Sequence, residues 1–410
     1  MKKIKVYVML VIFILIAFGS KQLIPSKKEI SALEIVKLIG LDYEEKADKK
    51  AIMSIIINKG TEIASSEGTT EEDISTQEVL KYEEESFNTA FRTAQFYNEK
   101  IITTSHIRHF IIGEETINKD IDKVIDRIAR DPETRLTAKV YTVKGMSANE
   151  FLTKLTSKGY NLSEKLDSIE DKKTYQTIMV PIKMIDLLEH KLSKDGIYLI
   201  PTLEIKEKEE SKESKEEENE KNEKENNEES KDIKFGFYGY SIMKRNKCIG
   251  YLNENEAITY ALLKNKIDGG SIDIKLENEN IISFGITKVT GSTKFKFNSF
   301  DSLEQIELNV NLVTSLDEVA GEGSIDDVKN IEKYESLQEE KVQKQIQELI
   351  NKSKKMNCDF LGIEKLLQIK HPYKYKKIKE NFSDKLNKTK FKVNVKFKID
   401  RTYDLVKIDK

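Results

Sequence analysis

Apolar residues fall along this chain in short, separated runs, and the period within each run predicts an element. Ile35, Val36, Leu38, Ile39 and Leu41 make a short apolar strand ending at Asp42, and Ala51 to Asn58 reads as its β partner. Phe87, Ala90, Phe91, Ala94 and Tyr97 recur at helical spacing, and Phe110 to Gly113 reads as a buried strand. Ile121, Val124, Ile125 and Ile128 form one face of a helix. It stops near Asp131-Pro132, because proline disfavours helical backbone in the residue before it. Leu136 to Val143 alternates as a strand.

Further along, Phe235 to Ile242 and Lys247 to Leu252 predict a hairpin turning at Arg245-Asn246. A short helix over Glu256 to Leu263, a turn at Gly269-Gly270 and an alternating strand over Ile272 to Leu276 follow. Ile306, Leu308, Val310 and Leu312 alternate. So do Phe391, Val393, Val395, Phe397 and Ile399, with Lys392, Asn394, Lys396 and Lys398 opposite, which predicts a half-exposed antiparallel strand. Between them a long helix is expected from about Ile325 to Ser353, opened by Ser324 with Asp327. Val328, Ile331, Tyr334, Val342, Ile346, Leu349 and Ile350 supply its buried stripe. The fold class is α+β: mixed α/β lobes with antiparallel sheets and a long helix in the C-terminal region.

Two segments depart from this texture. Val6 to Gly19 carries no charge and follows a start with three lysines, as export signals do. Fourteen apolar residues span roughly 21 Å as a helix, against a hydrocarbon core of about 30 Å. The run fits a signal-peptide core or a short anchor, with Val6, Leu10, Phe13, Ile14 and Phe18 as anchor residues. Ala17 and Gly19 suit a small-residue cleavage site before Ser20, where a lipoprotein signal would carry cysteine. Of the two readings, the anchor is the preferred expectation. The second segment, Lys206 to Asp232, has no hydrophobic residue. It holds seven Lys against thirteen Asp and Glu, a net of −6 that leaves +4 on the rest. Such a stretch buries too little apolar surface to offset its chain entropy, so a disordered tether is expected. The expected division is an N-terminal signal or anchor (1–24), a mixed α/β domain (25–205), the charged linker (206–232), a middle α/β lobe (233–290) and a C-terminal α+β lobe (291–410).

The overall charge of −2 offers no basic surplus for nucleic acid. Cys248 and Cys358 are too few for a disulfide framework and read as small buried hydrophobes, with a single bridge between them as the alternative. His106 and His109 have a spacing that can ligate zinc from a helix, but here they enter an apolar strand without further ligands. Tyr373 and Tyr375 sit among lysines in what reads as a solvated basic loop. Arg130, Asp131, Glu133 and Arg135 read as an ion-pair cluster at a helix end. No residue is assigned as catalytic, cofactor-binding or metal-ligating. A hydrolase would need a convergent acid/base or metal site, and no such pattern stands out.

Three ordered stretches carry a resemblance. Glu29-Ile30-Ser31 through Gly40-Leu41-Asp42 resembles the mature start of the Ger(x)C family, the C subunits of spore germinant receptors. Ser105-His106 through Phe110-Ile111-Ile112-Gly113-Glu114-Glu115 is similar to that family's Ser-His, apolar strand and Gly-Glu, followed by Arg130 to Arg135 and Lys144-Gly145. Gly239-Tyr240 through Gly250-Tyr251 to Glu256 resembles the start of its C-terminal region. The resemblance implies three mixed α/β lobes and a non-enzymatic, membrane-associated subunit on the outer face of the spore inner membrane. It also implies polytopic A and transporter-like B partner subunits. The family's lipobox cysteine and following Trp-Asp are replaced here by Ile24, Pro25 and Ser26, so lipidation has no acceptor. Near the C-terminus Asp359 and Gly362 alone remain of the family's pattern. A second expectation is an extracytoplasmic protein that binds a nutrient on its own.

Overall fold

The computed structural model of the protein describes residues 9, 30–44, 50–58, 77–171, 179–193, 196–207, 233–267, 269–275, 281–298, 302–320 and 328–401. The anchor residues Val6, Leu10, Phe13, Ile14 and Phe18, Ser20, the helix start at Ser324 to Asp327, and the charged run beyond Glu207 lie outside them. Among the described residues no helix is long and apolar enough to cross a membrane.

The strands of the first unit are β1 (Leu33–Ile35), β2 (Leu38–Tyr43), β3 (Ala51–Asn58), β4 (Gln77–Glu84), β5 (Ile101–Thr103), β6 (His109–Ile112), β7 (Lys139–Val143), β8 (Ile182–Lys183), β9 (Ile197–Glu207), β10 (Ile233–Lys244) and β11 (Lys247–Asn253). Its helices are α1 (Phe87–Tyr97), α2 (Glu114–Lys119), α3 (Asp122–Arg130), α4 (Ala148–Thr156), α5 (Leu162–Asp171) and α6 (Met184–Leu192). One sheet runs β11-β10-β9-β7-β6-β2-β3-β4, with β8 on β7. β2, β6, β7 and β9 are parallel at its centre, and antiparallel pairs flank them. β2 and β6 are buried at every position, which is why their sequences are mostly apolar and do not alternate. α1, α3 and α6 pack with Ile55, Phe110 and Val140 on one face, and α4 and α5 with Ile111 and Tyr141 on the other.

Two expected strands change shape. The run 35–41 is split: β1 pairs with β5 in a separate two-stranded sheet, and Asp42 lies inside β2. Lys37 O, between the two strands, accepts the N–H groups of Arg108 (2.8 Å) and His109 (3.2 Å). The strand expected from Leu136 begins at Lys139, because Ala138 N–H closes a turn onto Arg135 O (3.0 Å).

β10 runs antiparallel to β9 from Lys244 opposite Ile197 to Ile233 opposite Glu207. The chain therefore leaves this sheet into the charged stretch and re-enters it at one rung. Residues 233–253, expected to open a middle lobe, instead complete the sheet of the first unit. Buried hydroxyls stitch the join: Thr142 Oγ1 lies 2.9 Å from both Thr202 Oγ1 and Ser241 Oγ, and Thr202 and Ser241 are 2.8 Å apart.

The second unit contains α7 (Glu254–Leu263), α8 (Val328–Lys355), α9 (Ile363–Lys370), α10 (Pro372–Ile378) and α11 (Phe382–Lys388). Its sheet has the order β12 (Ser271–Lys275), β13 (Ile281–Phe297), β14 (Leu303–Ala320), β15 (Lys390–Arg401). β15 is parallel to β14, not antiparallel as its alternation suggested. The connection holds α8 and three short helices, a crossover that returns the strand in the same direction. The alternation survives because helices cover one face only. Ile306, Leu308, Val310, Val393 and Val395 meet Val342, Ile346 and Leu349 of α8 there.

α8 also closes the outer edge of β15. Glu335 accepts from Ile399 N–H (2.8 Å), Glu339 accepts from Phe397 N–H (3.0 Å), and Gln343 donates to Val393 O (3.2 Å). Four helical residues rise about 6.0 Å and two strand residues about 6.6 Å. Glu335 and Glu339, at i and i+4, therefore match alternate rungs, Gln343 reaches further along the strand, and the three occupy an edge that would otherwise recruit another chain.

Because Glu207 and Ile233 are opposed, a two-residue turn can replace residues 208–232. We expect such a variant to fold and to melt at or above the wild-type temperature, since a shorter loop costs less closure entropy. Loss of cooperative thermal unfolding would contradict the pairing.

Candidate functional site

Parallel strands β2, β6 and β7 end side by side, and the carboxyl ends of parallel strands are where open sheets leave a crevice. Here the chain fills it with its own side chains. Asp42, 3% exposed, accepts the N–H groups of Ala148 (2.8 Å) and Asn149 (2.9 Å) at the start of α4. It takes the place that a bound anion would hold at a helix N-terminus. Gly113, directly after β6, has to lack a side chain: a Cβ would lie 1.9 Å from Asp42 Oδ1. The Asn149 amide donates to Ser54 Oγ (2.9 Å) and fixes the same turn.

Beside Asp42, Glu114 gathers three donors. Lys144 Nζ (2.7 Å) and Tyr251 OH (2.6 Å) reach Oε1, and Gly145 N–H reaches Oε2 (2.8 Å). Lys144 Nζ also stands 3.6 Å from the centroid of the Tyr251 ring. Burial pushes the Asp42 carboxyl up to about 6, against the pull of its two backbone donors. Burial also raises Glu114, but its bonds from Lys144 and Tyr251 outweigh that and hold it below the usual carboxylate range. Burial and the bond to Glu114 push the Tyr251 phenol far above its ordinary value. Both oxygens of each carboxylate are engaged by the chain itself. In this cluster Glu114 ties the ends of β6 and β7 to the β10–β11 hairpin, and Asp42 ties β2 to the start of α4, so that together they act as a clamp. Motif residues scattered from Asp42 to Tyr251 converge in it, which their spacing in the sequence did not reveal.

The other residues singled out by sequence are dispersed. His106 is exposed, while His109 is fully buried. Ser163 Oγ lies 3.3 Å from His109 Nδ1, and Asp167 Oδ1 lies 3.3 Å from Nε2 outside hydrogen-bond geometry. Burial holds this imidazole well below its usual pKa, although Asp167 pulls it up. Arg130 pairs with Asp126 (2.9 Å) and Asp131 with Arg127 (3.4 Å), so each uses the preceding helical turn instead of joining one cluster. Cys248 and Cys358 are free thiols. Tyr375 OH donates to Glu364 Oε1 (2.7 Å), while Tyr373 is exposed.

A cleft of about 640 Å³ separates α6 from the second unit. Glu189 of α6 and Lys365 of α9 form an ion pair across it (2.9 Å). Lys264 donates to Leu361 O (2.6 Å), and burial lowers its pKa. Asp359 accepts the N–H groups of Ile363 (3.0 Å) and Glu364 (2.7 Å) at the start of α9. Gly362 (φ 67°) leaves room for Lys264, whose Nζ would lie 3.1 Å from a Cβ there. The two C-terminal motif remnants, Asp359 and Gly362, therefore build one wall. His190, its pKa lowered by burial, lines the opposite wall. The volume and mixed polarity suit a small polar ligand. Sequence reading missed this cleft, because residues 180–199 and 363–370 carry no pattern that joins them.

The family described as "Spore germination protein N-terminal domain" matches residues 26–205, and that described as "Spore germination B3/ GerAC like, C-terminal" matches residues 238–403. The "Spore germination protein B3" of Bacillus subtilis (strain 168) is 22% identical over 305 residues, 73% of this chain and 74% of that protein. A crystal structure of the GerBC protein aligns with a TM-score of 0.54 and 16% identity, covering 88% of this chain and 97% of that one.

Asp42 yields a pH prediction. Its folded-state pKa, about 6, lies above the ordinary 3.8, so the folded state keeps the proton longer. The stability that this supplies is present below about pH 4 and lost as pH rises through 6, a loss of roughly 3 kcal/mol. In urea unfolding between pH 4 and pH 7, wild type should lose stability relative to Asp42→Asn by about that amount. Identical pH slopes would contradict the assignment.

Proposed function

We propose a receptor-subunit role for this chain, which belongs to the Ger(x)C family of spore germination proteins. In this reading it is the C subunit of a nutrient germinant receptor. It works beside a polytopic A subunit and a transporter-like B subunit on the outer face of the spore inner membrane. Its part is to hold and couple the other subunits. The observation that carries the reading is the match of both family regions, in order, at 26–205 and 238–403. The architecture supports it as well: the bond from Tyr251 to Glu114 and the pairing of β9 with β10 join the two matched regions, as a coupling element requires.

In the same reading Val6 to Phe18 is the membrane anchor, because Ser20 stands where a lipoprotein would carry its acylated cysteine. The cleft between α6 and α9 favours a second reading, in which this chain itself captures the nutrient.

Deleting the coding sequence and assaying spores over a nutrient panel tests the proposal. The response to at least one nutrient should fall about tenfold or more, with a non-nutrient trigger unaffected. A tagged copy should co-purify with polytopic subunits from spore membranes. Unchanged germination on every nutrient would contradict the receptor role. Loss of one response by a chain purified without those subunits would favour direct capture instead.

A further inference from the structure

The sheet of the second unit has two faces of opposite character. One meets the helices. The other can be read rung by rung from the pairing of β13, β14 and β15. The rungs are Lys296-Gln305-Lys390, Lys294-Glu307-Lys392, Ser292-Asn309-Asn394, Thr290-Asn311-Lys396 and Lys288-Val313-Lys398. Seven of these fifteen residues are lysines, and all seven are exposed. Glu307 is the one acid within the five rungs. It pairs with Lys296, and the bond from Lys296, with the charges of Lys392 and Lys294 nearby, holds its carboxyl below the usual range. Contacts confirm that the rungs share a face: Gln305 Nε2 donates to Glu307 Oε1 (3.1 Å) and Asn394 Nδ2 to Asn309 Oδ1 (2.8 Å).

Such a concentration of charge is unexpected in a chain whose net charge is −2. Like charges on neighbouring strands repel and weaken the sheet. The alternation that buries Val393, Val395 and Phe397 requires polar residues opposite them, but it does not require lysine.

We propose that this face docks on an anionic lipid headgroup layer. Four observations select that occupant. The face is broad: nine residues of strand extend about 27 Å at ~3.4 Å per residue, and three strands lie about 4.8 Å apart. It presents lysine and no arginine, so its cations act as point charges toward phosphate and not as forks for base edges or carboxylates. It has no aromatic side chain on which a nucleobase could stack. Its only apolar side chain is Val313, so it lacks the buried anchors that stable protein interfaces centre on, and lysine is depleted at such interfaces. A flat, multivalent, weakly structured attraction to a polyanionic plane is what remains. Each lysine near an anionic bilayer adds about a fivefold gain in partition. The inference stands on the sheet face alone and holds or fails independently of the receptor assignment.

The test uses the full chain and sedimentation with vesicles of phosphatidylcholine alone, or mixed equally with phosphatidylglycerol. The apolar N-terminal segment supplies a baseline common to both, so the readout is the ratio of the two partition coefficients. Wild type should prefer the anionic vesicles at least about tenfold at low salt, and high salt should abolish the preference. Combined Lys288→Gln, Lys294→Gln, Lys392→Gln and Lys396→Gln, which spares the Lys296–Glu307 pair, should remove most of it. The same number of changes elsewhere (Lys100→Gln, Lys158→Gln, Lys165→Gln, Lys247→Gln) should not. Should circular dichroism show the fourfold variant unfolded, Lys392→Glu with Lys396→Glu replaces it. The proposal is overturned by equal partition into both vesicles, or by equal loss in face and control variants. It is also overturned if a single-stranded oligonucleotide or an acidic polypeptide displaces the protein from the vesicles at matched charge concentration, since the face would then serve another partner.

Discussion

The pairing of β9 with β10 is the constraint on which the rest of this architecture depends. It brings the chain back, after the charged stretch, to the rung it left. Everything after residue 233 is then placed by its attachment to that sheet. β11 folds back on β10, Asn253 caps α7 by accepting from Glu256 N–H (3.0 Å), and α7 delivers the chain to the second sheet. The two matched regions are thus not beads on a string. They share one hydrogen-bonded layer, and the Thr142, Thr202 and Ser241 hydroxyls satisfy one another inside it. A buried hydroxyl without a partner would carry a desolvation penalty of about 1–3 kcal/mol, so this trio selects one register of the joint.

Around that joint, polar groups are used where backbone or helix ends demand them. Asp42 serves the start of α4 and Asp359 the start of α9. Glu335 and Glu339 serve the open edge of β15. In each case an acidic side chain accepts N–H groups that have no backbone partner, as helix ends and strand edges require. Abundant charge in this chain is therefore partly structural. The charge on the open face of the second sheet does none of this work, which is what sets that face apart.

Much of this was legible in the sequence, for identifiable reasons. α1 is predicted closely, because its apolar residues keep one period from end to end, and so is the hairpin, because two apolar runs flank the polar turn at Arg245-Asn246, where Arg245 takes a positive φ of 57°. β13 went unread, because irregularities at Ser283/Phe284 and Ile286/Lys288 shift its register and break the alternation into short pieces. The direction of β15 was misjudged, because one-sided burial gives the same alternation in parallel and antiparallel strands. Direction was set instead by the helices that intervene. The clamp joins residues more than a hundred positions apart through side-chain geometry, which no local period encodes. The family motifs marked its members without indicating that they meet.

The chain on both sides of the charged stretch forms one cooperative layer. Native-state hydrogen exchange tests it most directly. Amides of Leu199, Leu203, Tyr240 and Ile242 should exchange with the same opening free energy as those of Val140 and Thr142 in β7. If the β10 amides open at a markedly lower free energy than those of β7, the two regions are separate units and the account is wrong.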